Sequence, residues 1–167
     1  MRFDLEELKS EWNLDPEYHH VNHGSFGAVP LCVQEEQSKW RMRLQRNPVK
    51  FFARELRDHI AHARGEVARF LGQQQDQIAL IRNTTEGAST VMRGFPLQPE
   101  DEVLVLNQEY GAVTKAIGRA CVAARAKMIE IDVDYLDSDE VVLSKIAAHI
   151  TRKTRMLVID HISSATA

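Results

Sequence analysis

Three short apolar runs, Val103-Leu104-Val105-Leu106, Met128-Ile129-Glu130-Ile131 and Met156-Leu157-Val158-Ile159, are separated by stretches long enough to hold a helix each. Strands joined in this way pair in parallel, through right-handed crossovers, with helices covering the sheet. A fourth run, Ile78-Ala79-Leu80-Ile81, comes earlier. The pattern predicts strands over Gln77–Arg82, Glu102–Leu106, Lys127–Ile131 and Met156–Asp160. Helices are expected from Thr85 to about Met92 and from Gly111 to about Ala126, the second with Val113, Ile117, Ala120, Cys121 and Ala124 on one side. Asp137 with Glu140 three residues on resembles a capping box opening a helix to about Ile150. The fold class expected is α/β with a mostly parallel sheet.

The front of the chain is helical in pattern. Asp4 to Trp12 forms a short amphipathic stretch, Asp15-Pro16-Glu17 a turn, and Tyr18 to Asn22 an extended piece. Gly24-Ser25-Phe26-Gly27 must bend or pass close to something. Pro30 suits the first turn of a helix running to about Arg46, which Asn47-Pro48 interrupts. Phe52, Leu56, Ile60, Ala63, Val67, Phe70 and Leu71 then make one stripe of a long helix that Gly72 stops. Three regions are therefore expected: 1–30, a helix and an extended segment; 31–72, helical; and 73–167, an α/β region that lacks an ending.

Apolar residues make up 44% and charged residues 27%, so a packed core is feasible. A net charge of −3 disfavours a protein that holds nucleic acid or a membrane surface by bulk charge. No apolar run has the length of a membrane span. Acids in Met1-Arg2-Phe3-Asp4-Leu5-Glu6-Glu7 occupy the place of a signal peptide's uncharged core, so a cytoplasmic address is the expectation. Cys32 and Cys121 lie on apolar-patterned segments and read as reduced, buried packing residues.

Ligands of parallel sheets sit beyond the carboxyl ends of the strands. Asn83–Thr85, Asn107–Tyr110 and Asp160–Ser164 all follow predicted strands and can line one crevice. Thr84 and Thr85 open a helix, where free amides and the positive end of the dipole suit a phosphate. Threonine at a helix start is also an ordinary cap. Tyr110 can stack on a flat ring or pack within its loop. His19 and His23 have the i, i+4 spacing of helical metal ligands, but Val21, Asn22 and Gly24 oppose a helix and no acid or cysteine is near, so no metal is expected. His59 and His62 read as a solvated helix face. GxGxxG, GxxxxGK[ST] and GxSxG are all absent, which disfavours the corresponding nucleotide sites and serine nucleophiles. No lysine has a context that suggests a covalent role.

In order, Val21-Asn22-His23-Gly24-Ser25-Phe26-Gly27-Ala28-Val29-Pro30, Ile81-Arg82-Asn83-Thr84-Thr85-Glu86-Gly87, Asp101-Glu102-Val103-Leu104 with Glu109-Tyr110-Gly111, and Ile159-Asp160-His161-Ile162-Ser163-Ser164 resemble the N-terminal part of class V aminotransferases, pyridoxal-phosphate enzymes, in their isopenicillin N epimerase-like branch. The resemblance implies part of the large domain of a fold-type I enzyme. It implies that Thr84 and Thr85 hold the cofactor phosphate, that Tyr110 stacks on the pyridine ring, and that Ser164 lies near the ring oxygen. It puts Asn22, His23 and Gly24 at the substrate end. Glu100 departs from the glycine usual before Asp-Glu-Val. The family's aspartate on the pyridine nitrogen, its Schiff-base lysine and its carboxylate-binding arginine come later than Ala167, so this chain has no assigned catalytic residue and is expected to be inactive alone. The complete protein would act on a small amino acid by epimerisation, transamination or elimination, as a homodimer. The alternatives are a non-catalytic remnant, a fragment that depends on a partner, or an unrelated phosphate-binding α/β domain.

Overall fold

The computed structural model describes residues 9–24 and 26–163. It divides into two compact units, Met1–Ala79 and Leu80–Ala167. Within the described residues the first unit is helical. Helix α1 spans Leu31–Arg46. Asn47 then ends it and caps the next turn, Pro48–Lys50, its side chain accepting from the Lys50 N–H at 3.0 Å. A π-helical turn, Phe51–Glu55, leads into helix α2, Leu56–Phe70. The wider turn changes the helical phase between Phe52 and the residues of α2. Leu56, Ile60, Ala63, Val67 and Phe70 share one face of α2 as expected, but among the described residues that face is largely uncovered: Phe51 and Ala68 are buried, whereas Phe52, Ile60, Ala63, Val67, Phe70 and Leu71 are exposed. Phe51 packs edge-on to Trp40, and His59 lies against both rings rather than on a solvated face. Gly72 does end the segment, at φ +65°. Cys32 is exposed on α1, contrary to its apolar surroundings in sequence, because α1 buries none of its residues.

The second unit opens with helix α3, Thr84–Gly94, then β1, Glu102–Leu106, α4, Gly111–Ala124, β2, Lys127–Ile131, α5, Asp139–His149, and β3, Thr154–Val158. The three strands form one parallel sheet in the order β2-β1-β3. Central β1 alternates its faces as strand geometry requires. Val103 and Val105 pack with Met92 of α3 and Val113, Ile117 and Cys121 of α4. Leu104 packs on the other face with Ile131, Val133 and Ile146 of α5. Both faces are thus covered.

Two expectations are corrected. The predicted strand Gln77–Arg82 is no strand: Gln75–Gln77 is a 3₁₀ turn and the following residues join no sheet. Both neighbours of β1 are already taken, by β2 and β3. The cap of α5 is Ser138, whose hydroxyl accepts from the Val141 N–H, not Asp137. Asp137 instead accepts from the Asp134 N–H at 2.9 Å and from Lys145 at 2.6 Å.

At the amino end of the sheet Glu100 adopts φ +70°, a left-handed conformation that a glycine would take without strain. Its carboxylate reaches Lys127 at the start of β2 at 2.7 Å and Lys153 before β3 at 3.5 Å. The lysines hold this carboxyl below its ordinary range, the Lys127 hydrogen bond contributing most.

Candidate functional site

Helix α4 returns from β1 on one face and α5 leaves β2 on the other, so the chain diverges at the carboxyl ends of these neighbouring strands. Such a divergence leaves a crevice. A cavity of about 230 Å³ occupies it, lined by Leu106, Gln108 and Glu109 after β1, Val133, Asp134, Tyr135 and Asp137 after β2, Val142 of α5, and Asp160 and Ser163 after β3. The rim is fastened by Asn107, which donates to Asp132 Oδ1 at 2.5 Å and accepts from the Val133 N–H at 3.1 Å. The loops after β1 and β2 are thereby joined, and the loop after β3 completes the lining, as their positions after parallel strands require. Thr84, Thr85 and Tyr110 are not among the cavity's lining residues.

Thr84 and Thr85 are the first two residues of α3. The cap is supplied by the residue before them: the Asn83 side chain accepts from the Glu86 N–H at 2.9 Å. Glu86 closes the turn from inside, its carboxylate accepting from the Arg82 N–H at 2.8 Å and pairing with the Arg82 guanidinium at 3.0 Å. That guanidinium, with the Arg82 N–H, keeps the Glu86 carboxyl below its ordinary range. The amides and hydroxyls of Thr84 and Thr85 make no hydrogen bond among the described residues. With capping assigned to Asn83, these threonines are left as unused donors at the positive end of an eleven-residue helix. A Cβ at Gly87 would lie 2.5 Å from Ile81 Cδ1, so a larger residue there would turn that exposed side chain aside.

Tyr110 immediately precedes α4, which packs directly on α3. Its carbonyl accepts from Val113 and Thr114, and the residue is 49% exposed. Its N–H donates to Glu109 Oε1 at 3.0 Å and to Asp160 Oδ2 at 3.2 Å. Glu109 is the one buried charged residue among those described. Burial, followed by its hydrogen bond and charge interaction with Asp160, pushes its carboxyl up to about 7. Sequence reasoning placed Glu109 and Asp160 in the crevice but gave them no role. The available signal was two acids following two parallel strands at one edge.

Ser164 lies outside the described residues. Asn22, His23 and Gly24 belong to the first unit. The Asn22 side chain accepts from the Gly24 N–H at 3.1 Å, and His23 meets His20 edge-on with ring centres 4.5 Å apart. Gly27 is obligatory here, since a Cβ would sit 2.2 Å from the His23 carbonyl oxygen. No group of three or more His, Cys, Asp or Glu side chains suited to a metal occurs among the described residues. No helix among them is long and apolar enough to cross a membrane.

Comparison with known proteins bears directly on these features. The family model for aminotransferase class-V matches residues 28–166. The hercynylcysteine sulfoxide lyase of Schizosaccharomyces pombe is 29% identical over 95% of this chain and 41% of its own length. An L-cysteine desulfhydrase of Arabidopsis thaliana is 26% identical over 94% and 39%, and the isopenicillin N epimerase of Streptomyces clavuligerus 27% over 98% and 41%. The chain thus spans about two-fifths of the length of these relatives. Among solved structures, the cystine C-S lyase C-DES, in complex with its product cysteine persulfide, superposes with a TM-score of 0.76 at 20% identity, over 83% of this chain and 37% of that one. The cysteine desulfurase CsdA of Escherichia coli does so with 0.73 at 20% identity, over 94% and 41%. The shared fold is that of fold-type I enzymes, and the chain belongs to the aminotransferase class-V family of pyridoxal-phosphate enzymes.

Proposed function

We propose that this chain supplies the phosphate- and ring-contacting part of a pyridoxal-phosphate site in an enzyme acting on a small amino acid. The observation that carries the reading is the unused start of α3. Asn83 and Glu86 satisfy the turn, and the amides and hydroxyls of Thr84 and Thr85 remain as donors for a dianion. Hydroxyl and amide donors without a neighbouring free carboxylate are a fitting set, because Glu86 is engaged by Arg82. Tyr110 offers a half-exposed ring at the start of the helix packed on α3, suited to contact with a pyridine. When bound, pyridoxal phosphate is an electron sink that labilises bonds at an amino acid's α-carbon. The chain's own contribution is binding and orientation. Asn22, His23 and Gly24 are assigned to the substrate side, and Ser164 to the ring's oxygen. The relatives' lyase and epimerase activities make an amino-acid lyase or epimerase the reaction type we favour for the complete protein. A homodimer is its proposed assembly, supported by the exposed apolar residues Leu31, Val33 and Met42 on α1.

The test compares pyridoxal phosphate with pyridoxal, which lacks the phosphate, by calorimetry on this chain. The phosphorylated ligand should bind more tightly. Replacing both Thr84 and Thr85 with alanine should weaken it about tenfold, a loss of roughly 1.4 kcal/mol, and leave pyridoxal unaffected. Equal affinity for the two ligands, or an unchanged affinity in the double variant, would remove the phosphate assignment.

A further inference from the structure

The proposed phosphate and ring contacts leave the carboxyl of Glu109 without a part. The residue is 8% exposed, and its Oε2 has no hydrogen-bond partner among the described residues. Its Oε1 and Asp160 Oδ2 both accept from one donor, the Tyr110 N–H. Two carboxylates gathered on a single N–H repel when both are ionised. An acceptor buried without a donor adds a desolvation cost. A single proton removes both difficulties, because a protonated Glu109 donates from its carboxyl to Asp160 and the pair then carries one negative charge.

We propose that Glu109 retains its proton and donates it in a hydrogen bond to Asp160, and that this carboxyl pair is a positioning device that ties the loop after β3 to the loop after β1 and fixes Tyr110 at the mouth of the sheet. The pair stands on its own geometry, and its effect on ligand binding rests on the reading of Tyr110 as a ring contact. The surroundings favour retention of the proton. The cavity beside Glu109 is lined by Asp134 and Asp137 from the loop after β2 and has no cation in its lining. Lys145 of α5 is drawn to Asp137 at 2.6 Å. Asp132 is engaged by Asn107. From α4 and its approach the neighbour is Tyr110 itself, through its backbone. Burial first, and Asp160 second, raise the Glu109 carboxyl toward neutrality.

The experiment is a carbon- and nitrogen-detected magnetic-resonance titration of this chain, following the Glu109 carboxyl and the Tyr110 amide from pH 4 to 9. Both signals should move together with a midpoint near 7. Glu109→Gln, whose amide mimics the protonated acid, should hold the Tyr110 amide at its low-pH position across the range. Asp160→Asn should lower the Glu109 midpoint by about a unit or more. A Glu109 midpoint in the ordinary carboxylate range would overturn the proposal, as would a Tyr110 response that survives in Glu109→Gln. A binding arm separates this inference from the functional one. Pyridoxal phosphate affinity should change through the same midpoint in the native chain and lose that step in Glu109→Gln. If the cofactor does not bind at all, the functional reading falls and the titration still decides the carboxyl pair.

Discussion

Glu109 shows how one side chain can couple stability to pH. The folded chain keeps its proton up to about pH 7, whereas the unfolded chain releases it near the ordinary value of 4.5. Between those values the folded state holds more protons than the unfolded one. Stability therefore falls as pH rises through this window and levels off above it. The contribution is on the order of 1–3 kcal/mol. Urea unfolding at pH 5 and pH 8 should show a larger loss for the native chain than for Glu109→Gln, and equal losses would exclude Glu109 as the cause. Thr84 and Thr85 teach a related lesson about legibility. Their local pattern favours an ordinary cap over a phosphate site, and only the hydrogen bond from the Glu86 N–H to Asn83 assigns the cap elsewhere. His59 and Cys32 depart from their local pattern for one reason: their exposure depends on helix packing that such a pattern does not encode.

Among the elements, those whose partners lie within the second unit were the most legible. Strand β1 was read to the residue, because a β-branched run bounded by turn residues and buried on both faces leaves little choice. Leu104 is fully buried against Ile131 and Ile146, so Leu104→Ala should cost about 2–5 kcal/mol by chemical denaturation. A loss below about 1 kcal/mol would mean that this face of the sheet is not close-packed. The run Ile78–Ile81 has comparable composition but no strand beside it, and apolar content alone does not make a ladder. The long helix and its apolar stripe follow the sequence pattern, but the stripe is largely exposed among the described residues. A π turn at Phe51–Glu55 changes the phase only between the residues before it and those after it; within α2 the period is regular, and what covers its apolar face is not encoded in local pattern.

At the largest scale, β2 and β3 are both edges of a three-stranded sheet among the described residues. Edge strands with unpaired backbone groups recruit other chains. Phe52, Phe70, Leu136 and Leu143 add exposed apolar surface. This chain should therefore self-associate at micromolar concentration, as seen by light scattering after size exclusion. A sharp monomeric peak would contradict that. The class of fold and the order of its elements could be read from the sequence because strand–helix alternation admits few topologies. The cavity could be read only in outline, since its lining comes from three loops far apart in the chain.

The carboxylate of Glu100 gives the sheet two unlike poles. Where the strands begin, one anion clasps Lys127 and Lys153 and seals that rim with charge. Where they finish, acids face a hollow with no cation in its lining. The sheet is thus closed by opposite charges where its strands start and left open among like charges where they stop, so a polar divide runs along the length of the strands.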